Sequence, residues 1–287
     1  MRTLIVIFFL SLTLQGLAHK QDSLSAHTHR LPQKGDYGLA IDARPFLGYA
    51  GALFSNTGSP APSFSFGAAS PLTITGRYFL TDASAYRLRL RIGAGSTTTR
   101  NSVLDQVNTT LDTVYTTDRQ KVSATNINLC FGKEWRRGGK RVQGYYGYEG
   151  SFSFSSAKTT YQYGNQFNST NTSVLSTDFS QALPGGAGFQ TAAVGSRINS
   201  VKQGAGFGLG ARGFVGVEWF FSRKMSLGGE FGWGFILKNQ NDGNTVVESW
   251  DNVNNGVRSK TLIAGGNQYF GIDTDNQMGS IHLNFYF

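Results

Sequence analysis

The sequence predicts an all-β fold, and within that class a closed, antiparallel, up-and-down barrel of eight strands. Three observations indicate this fold. Segments in which apolar and polar residues alternate recur along the chain, and this period is typical of strands with two different faces. Short links alternate with long links that are rich in Asn, Ser, Thr and Gly. The composition combines 37 Gly, 22 Phe and 12 Tyr with 6 Pro, and helical periodicity is hard to find.

The alternating segments each have an apolar face and an opposite polar face. The third is the clearest, because Leu88 and Leu90 alternate there with Arg87 and Arg89. The predicted strands cover residues 39–44, 72–78, 86–94, 126–135, 146–154, 207–221, 226–235 and 280–287.

The links between these segments give independent support. The links after the second, fourth and sixth strands are short, at residues 81–85, 137–142 and 222–224, and the other links are long. A membrane barrel has this asymmetry, with short periplasmic turns and long extracellular loops. The links at 156–203 and 238–275 exceed what a hairpin needs, so an extra hairpin, and ten strands in all, stays open.

The first residues predict export. Residues 1–18 have the pattern of a secretory signal peptide, since Arg2 precedes an apolar run over 4–14. Small residues precede a cleavage site after Ala18. After the signal, no apolar run reaches the roughly 18 residues that a transmembrane helix needs. We therefore expect any membrane crossing to be made by strands.

Two domains follow the signal in this interpretation. Residues 19–36 are polar and aperiodic, so we expect a flexible periplasmic segment there, and residues 37–287 form the barrel domain. His27 and His29 lie in that polar segment, where a solvated tail is the preferred interpretation over a metal site. Cys130 is the single cysteine and excludes an internal disulfide or a cysteine zinc site. No metal or cofactor is predicted.

The net charge of +9, taken alone, suggests that the protein binds nucleic acid. Export argues against that partner, and the arginines have another explanation. The polar faces of the strands collect carboxylates and arginines that would be costly to bury unpaired. An eight-stranded barrel is just wide enough for side chains to fill it, and the planar fork of Arg pairs well with carboxylates. The predicted lumen charge network consists of Asp42, Arg44, Arg77, Arg87, Arg89, Arg91, Glu134, Glu149, Arg212, Glu218, Glu230 and His282.

Alternation by itself does not say which face is inside. A soluble lipocalin-like barrel would have apolar residues inside and charges outside. The loop asymmetry and the C-terminus favour the membrane barrel, in which a closed ring satisfies every backbone group in lipid. The last strand has the pattern of the terminal signal that the outer-membrane assembly machinery recognises, carried by Ile281, Leu283, Phe285 and Phe287.

Two stretches carry a family resemblance. They are residues 35–49, GDYGLAIDARPFLGY, and the terminal strand Ser280 to Phe287. The chain resembles the small eight-stranded outer-membrane barrels of the OmpX and OmpA-transmembrane-domain type. More narrowly, it resembles the outer membrane protein β-barrel domain common in Bacteroidetes. The resemblance implies a multi-pass barrel in the outer membrane of a Gram-negative bacterium. Because the sequence stops at Phe287, we do not expect the peptidoglycan-binding domain that follows some OmpA barrels.

The function expected from these features is a non-enzymatic barrel that serves envelope integrity, or surface adhesion and partner binding, through loops 156–203 and 238–275. Runs at 159–163 and 261–270 would extend the strands and offer edges for strand addition. Alternatively, these loops form a polar cover over the extracellular opening of the barrel. The expected partners are outer-membrane lipid and lipopolysaccharide, the assembly machinery, and a surface partner at the loops.

Two other functions remain as alternatives. The first is a narrow porin for small solutes. The second is a lipid-modifying hydrolase, since Ser280 and His282 share a polar face and Glu230 or Glu149 would orient the histidine. The preferred interpretation of His282 is a member of the lumen hydrogen-bond network.

Overall fold

The computed structural model describes residues 31–43, 73–107, 114–139, 141–186, 188–274 and 280–287. The predicted all-β, antiparallel class is confirmed. In these ranges the only helical element is a 3-10 turn at Pro184–Gly186, and no helix is long and apolar enough to cross a membrane. The strands are β1 Tyr37–Asp42, β2 Thr73–Thr81, β3 Ser84–Leu104, β4 Tyr115–Gly139, β5 Val142–Gln162, β6 Val174–Ala182, β7 Phe189–Val194, β8 Ser196–Phe220, β9 Met225–Gln240, β10 Gly243–Asp251, β11 Gly256–Ala264, β12 Asn267–Thr274 and β13 Ser280–Tyr286.

Eight of these strands pair in a cycle. In order the antiparallel pairs are β1–β2, β2–β3, β3–β4, β4–β5, β5–β8, β8–β9, β9–β13 and β13–β1. The series therefore returns to the strand where it began. These eight strands correspond, in the same order, to the eight predicted segments. The links at 82–83, 140–141 and 221–224 are short and join β2 to β3, β4 to β5 and β8 to β9.

The strands of the ring are much longer than the predicted segments. β4 has 25 residues and pairs with β3 in one unbroken register, from Trp135 opposite Ser84 to Tyr115 opposite Leu104. Residues 95–104 and 115–125 belong to these strands, although the sequence placed them in a long link. Both faces are polar there, which hides the alternation, while the many Thr residues favour strand. Since a membrane crossing takes roughly 9–11 residues, about half of β4 extends beyond that length.

The predicted loop 238–275 is a tall hairpin. β10 follows β9 and continues its pairing with β8. The returning strands β11 and β12 pair with β10 and β9, respectively, and both pairs keep the same register. The hairpin turns at residues 252–255, where Asn255 has a φ of 47°. The predicted strand extension at 261–270 is thus present, within β11 and β12.

The observed link between β5 and β8 is also shorter than the predicted loop 156–203, because β5 runs to Gln162 and β8 begins at Ser196. Between them, β6 and β7 form a separate two-stranded sheet.

Of the flexible segment predicted over 19–36, the structure describes only residues 31–36, and these make specific contacts with the ring. Leu31 packs against a buried cluster that includes Phe79 and Phe220, and Pro32 is buried. The backbone N–H of Gly35 donates to the carbonyl of Phe79 at 2.8 Å. These apolar and backbone contacts fix residues 31–36 at the end of the ring that carries the short links. The predicted signal peptide, with Ala18, and the rest of the lead-in lie outside the described residues.

Candidate functional site: the charged interior of the strand ring

Alternation along each strand of the ring separates a buried charged face from an exposed apolar face. On β3, Arg87 is 1% exposed and Leu88 is 49% exposed; on β8, Glu218 is 0% exposed and Trp219 is 49% exposed. In a soluble barrel the charged side chains would be the exposed ones. The side chains of this ring have the reverse arrangement.

A first ion-pair cluster, near the short links, is built around Arg136. Its Nε donates to Glu134 at 2.8 Å, and its Nη1 donates to Glu218 at 2.7 Å. Arg77 reaches the same two carboxylates, each at 3.2 Å. The Tyr286 hydroxyl adds a hydrogen bond to Glu218 at 2.7 Å. Two guanidinium groups and two carboxylates therefore share one fully buried site, in which each carboxylate contacts both cations.

A second cluster lies further along the interior. Arg87 contacts Glu230 through both terminal nitrogens, one of them at 3.0 Å. Arg212 bridges Glu230 at 2.9 Å and Glu149 at 3.1 Å, and Glu149 also accepts a hydrogen bond from Arg89. Arg87 lies 3.8 Å from Glu134. This contact links the second cluster to the first, so the charges form one continuous network.

The network contains most of the residues that the sequence singled out, namely Arg77, Arg87, Arg89, Glu134, Glu149, Arg212, Glu218 and Glu230. Asp42 and His282 are buried and lie directly opposite each other between β1 and β13. Arg91 is exposed and lies beside a cavity above the network. Arg44 lies outside the described residues.

The most connected cation, Arg136, was missed from the sequence. The predicted fourth strand ended at Trp135, but β4 continues to Gly139. Extending the alternation two residues beyond Glu134 would have placed Arg136 on the same interior face. Tyr145 and Tyr286 were also missed, because the fifth predicted segment began at Tyr146 and the polar face of the last one was read only as far as Asn284; both tyrosines are buried inside the ring.

Glycines on the interior face leave space for these large side chains. A Cβ at Gly216 would overlap the ring of Tyr145, and a Cβ at Gly232 would overlap the guanidinium of Arg212. Small residues therefore lie opposite or diagonal to large ones across neighbouring strands. This complementarity explains Gly216 and Gly232 as packing requirements.

Above the network the interior opens into a cavity of about 430 Å³. Arg89, Arg91, Cys130 and Lys238 are among its lining residues. Cys130 itself is 1% exposed. The interior is thus packed with ion pairs near the short links and more open toward the far end.

The segment between β5 and β8 packs against interior-facing side chains at that far end. Asp118 has the same parity as Glu134 on β4, and its carboxylate accepts from the N–H of Gly164 at 2.9 Å and of Thr177 at 2.8 Å. Asn101 of β3 donates to the Thr177 hydroxyl at 3.2 Å. This part of the predicted loop 156–203 therefore lies on the interior side of the walls and covers the mouth of the ring.

Arg197 fixes the same segment from β8, two strands away from Asp118 in the ring. It donates to Glu248 at 2.7 Å and to the carbonyl of Asn165 at 2.7 Å, and its guanidinium lies 4.3 Å from the ring centre of Tyr163. Burial raises the pKa of the Tyr163 hydroxyl above its usual value, and the positive charge of Arg197 opposes this rise. The cover is thus held by Asn101 on β3 and by charge-assisted contacts from Asp118 on β4 and Arg197 on β8, while Glu248 on β10 positions Arg197.

Of the residues proposed for a hydrolase site, the two candidate carboxylates, Glu230 and Glu149, are bound by arginines. His282 is buried, and Ser280 lies opposite Glu230 between β13 and β9. Glu230 is already bound by Arg87 and Arg212, which favours a structural role for that carboxylate. Within the described part of the chain, no group of His, Cys, Asp and Glu side chains is arranged to hold a metal ion.

No protein-family model matches this sequence, and no curated protein matches it. Among solved structures, the chain is similar to the outer membrane protein OprG from Pseudomonas aeruginosa. The sequence identity is 10%, the match covers 90% of this chain and 99% of OprG, and the TM-score is 0.31. The resemblance to the OmpX and OmpA barrels and to the Bacteroidetes barrel domain stays a prediction.

Proposed function

We propose that this protein is a non-enzymatic, closed, eight-stranded β-barrel of a bacterial outer membrane, with a lumen filled by side chains. The observation that carries the proposal is the sidedness of the ring, with paired arginines and glutamates inside and apolar side chains outside. Such a ring satisfies its backbone groups between strands and presents a mainly apolar face to lipid.

The outward apolar side chains support this proposal because they form a continuous row. Neighbouring strands place these residues directly opposite one another in register, from β3 through β4, β5, β8 and β9 to β12. The row consists of Leu90, Leu129, Phe152, Leu209, Leu237 and Phe270. Near the short links, Trp135 and Tyr146 stack on the outside with ring centres 5.8 Å apart, as in the aromatic girdle of a membrane barrel.

The buried ion pairs argue against a pore. Arg77, Arg87 and Arg136 have fully buried side chains, and each pairs with at least one carboxylate of another strand. Opening a water-filled path would separate these pairs and leave buried charges alone, at several kcal/mol each. A narrow porin is therefore the alternative that a conductance experiment must exclude.

The role of the barrel lies in its tall outer part. The strands extend well beyond the lipid, residues 163–195 cover the mouth, and the β10–β11 hairpin rises above it. In the described part of the chain, β11 pairs with β10 alone and β12 pairs with β9 alone. This edge suits strand addition by a surface partner, or packing against neighbouring envelope components.

The experiment begins with the mature chain purified and refolded in detergent. We expect it to require detergent for solubility, to migrate faster on a gel when unheated than when boiled, and to give no stable conductance steps in a planar bilayer. A chain that is soluble without detergent and insensitive to heating would refute the barrel. Stable, sizeable steps would refute the filled lumen and favour the porin.

A further inference from the structure

Five exposed cations lie together on the outward face of the tall wall, above the apolar row. Four of them share the parity of the lipid-facing residues of their strands, as Arg119 and Lys121 share that of Leu129 on β4. The fifth, Lys202, lies directly opposite Lys158, beyond a shift in the β5–β8 register, and therefore faces the same side. We call them the basic band, which consists of Arg100 on β3, Arg119 and Lys121 on β4, Lys158 on β5 and Lys202 on β8.

The band is arranged so that like charges face each other. Arg100 lies directly opposite Arg119 between β3 and β4, and Lys158 lies directly opposite Lys202 between β5 and β8. Like charges in directly opposed positions destabilise a sheet. A repulsive arrangement of this kind is relieved when an anion binds between the cations.

The chain itself supplies no such anion in the described residues. None of the five cations forms an ion pair with a carboxylate there, and the outward positions of residues 94–102, 117–125, 156–162 and 196–202 hold no Asp or Glu. Asp242 lies in the link between β9 and β10 and accepts a hydrogen bond from the N–H of Gly266 at 2.8 Å. The band is therefore a one-sided positive surface.

Its height fits the head-group layer of the proposed outer leaflet. Phe154 belongs to the uppermost apolar positions of β5, and Lys158 follows it by four residues, which is about 13 Å along a strand. Arg119 lies eight residues beyond Ile127 on β4, which is about 26 Å along the strand. With a tilt of about 40°, these distances put the cations about 10 and 20 Å above the hydrocarbon.

An apolar groove of about 560 Å³ lies on the same outer surface, just below Lys158 and Lys202. Phe152, Leu209 and Phe270 are among its lining residues. Cations above and an apolar groove below match an amphiphile that carries phosphate groups on its head and acyl chains beneath.

We propose that the basic band binds the phosphate groups of lipopolysaccharide, with acyl chains of the same molecule in the groove below. This inference rests on the proposed membrane function, since a soluble protein would not meet the ligand in this orientation. Arg and Lys pair favourably with phosphate, and clustered cations near a membrane surface attract anionic lipid.

The test uses the refolded full mature chain in detergent and fluorescent lipopolysaccharide that carries phosphorylated lipid A and inner core. Two double variants, Arg100→Gln/Arg119→Gln and Lys158→Gln/Lys202→Gln, each remove one opposed pair. The matched control, Arg223→Gln/Lys224→Gln, removes two exposed cations in the short link at the opposite end of the ring.

We expect each band variant to weaken binding about five- to thirtyfold, because each lost exposed ion pair accounts for a factor of a few. The control should bind like the wild type. Without lipopolysaccharide, the band variants should unfold at the same or a higher temperature than the wild type, because the opposed charges repel each other.

Three results would overturn the proposal. They are unchanged binding by the band variants, equal weakening by the control, and equal binding of dephosphorylated lipopolysaccharide. Displacement of the labelled lipid by millimolar inorganic phosphate would also overturn it, since the site would then recognise free phosphate. A chain that needs no detergent refutes the membrane function itself, whereas a heat-modifiable barrel with unchanged binding refutes only the basic band.

Discussion

Replacing Arg136 by Ala should destabilise the folded protein far more than replacing its neighbour Arg137. The two side chains have the same charge and adjacent positions on β4, but Arg136 is 3% exposed inside the ring and Arg137 points outward and is exposed. The pair therefore isolates the effect of the interior network from that of charge or strand propensity.

The contacts of Arg136 set the size of the effect. Its guanidinium donates to Glu134 at 2.8 Å and to Glu218 at 2.7 and 3.3 Å. Removing one partner of a buried ion pair costs about 3–5 kcal/mol, because the remaining charge is left without compensation. Arg77 stays within 3.2 Å of both carboxylates, which reduces the loss. We therefore expect the free energy of unfolding to fall by about 3 kcal/mol for Arg136→Ala, and by no more than about 0.5 kcal/mol for Arg137→Ala.

Urea unfolding of the refolded variants in lipid vesicles, followed by tryptophan fluorescence, measures both free energies. Arg136→Lys serves as a further control, since it keeps the charge but loses the planar fork, and it should fall between the other two. Equal destabilisation by Arg136→Ala and Arg137→Ala would refute the assigned sidedness of β4.

Four further predictions concern packing, sidedness and the mouth. Gly216→Val should lower the thermal unfolding midpoint, because the new side chain overlaps the Tyr145 ring; a midpoint equal to that of the wild type in a thermal melt would contradict the packing. Leu209→Arg should lower the free energy of unfolding in vesicles by about 2–4 kcal/mol, the cost of a charge facing lipid, and a neutral effect would contradict lipid exposure there. Cys130 should react with a maleimide only after urea unfolding, since its side chain is buried, and rapid labelling of the folded chain would argue against the closed interior. Asp118→Ala should make the segment between β5 and β8 sensitive to limited proteolysis, because the carboxylate holds that segment through the N–H groups of Gly164 and Thr177. The barrel itself should still migrate differently on a gel when heated. Unchanged protease resistance would contradict the role given to Asp118.

The sequence predicts the ring well where the two faces of a strand differ chemically. Arg87 and Arg89 alternate with leucines on β3, and this contrast exists because one face is buried among charges and the other is apolar. The strands, their order and most members of the charge network follow from that contrast.

Alternation fails where both faces meet a polar environment. The upper halves of β3 and β4 are hydrophilic on both sides, so the period of two disappears and the sequence suggests a loop. The strands nevertheless continue, because their backbone hydrogen bonds extend the ladder already formed below. For the same reason the hairpin of β10 and β11 was only partly foreseen.

Contacts between distant segments are the other source of error. Residues 31–36 look like a solvated tail, and only the folded ring creates the apolar cluster on which Leu31 packs. Likewise, the binding of the segment between β5 and β8 depends on side chains from different strands, Asp118 on β4 and Arg197 on β8. Contacts of this kind leave no local pattern in the sequence from which they could be predicted.

The most direct test of the account is a nitroxide scan along β5 in lipid vesicles. Spin labels are attached singly at residues 151, 152, 153 and 154 in a Cys130→Ser background, and their collision rates with dissolved oxygen, which concentrates in lipid, are measured. The account predicts high rates at 152 and 154 and low rates at 151 and 153. High rates at 151 and 153, or no alternation at all, would contradict a barrel that keeps its charged side chains inside and its apolar side chains in lipid.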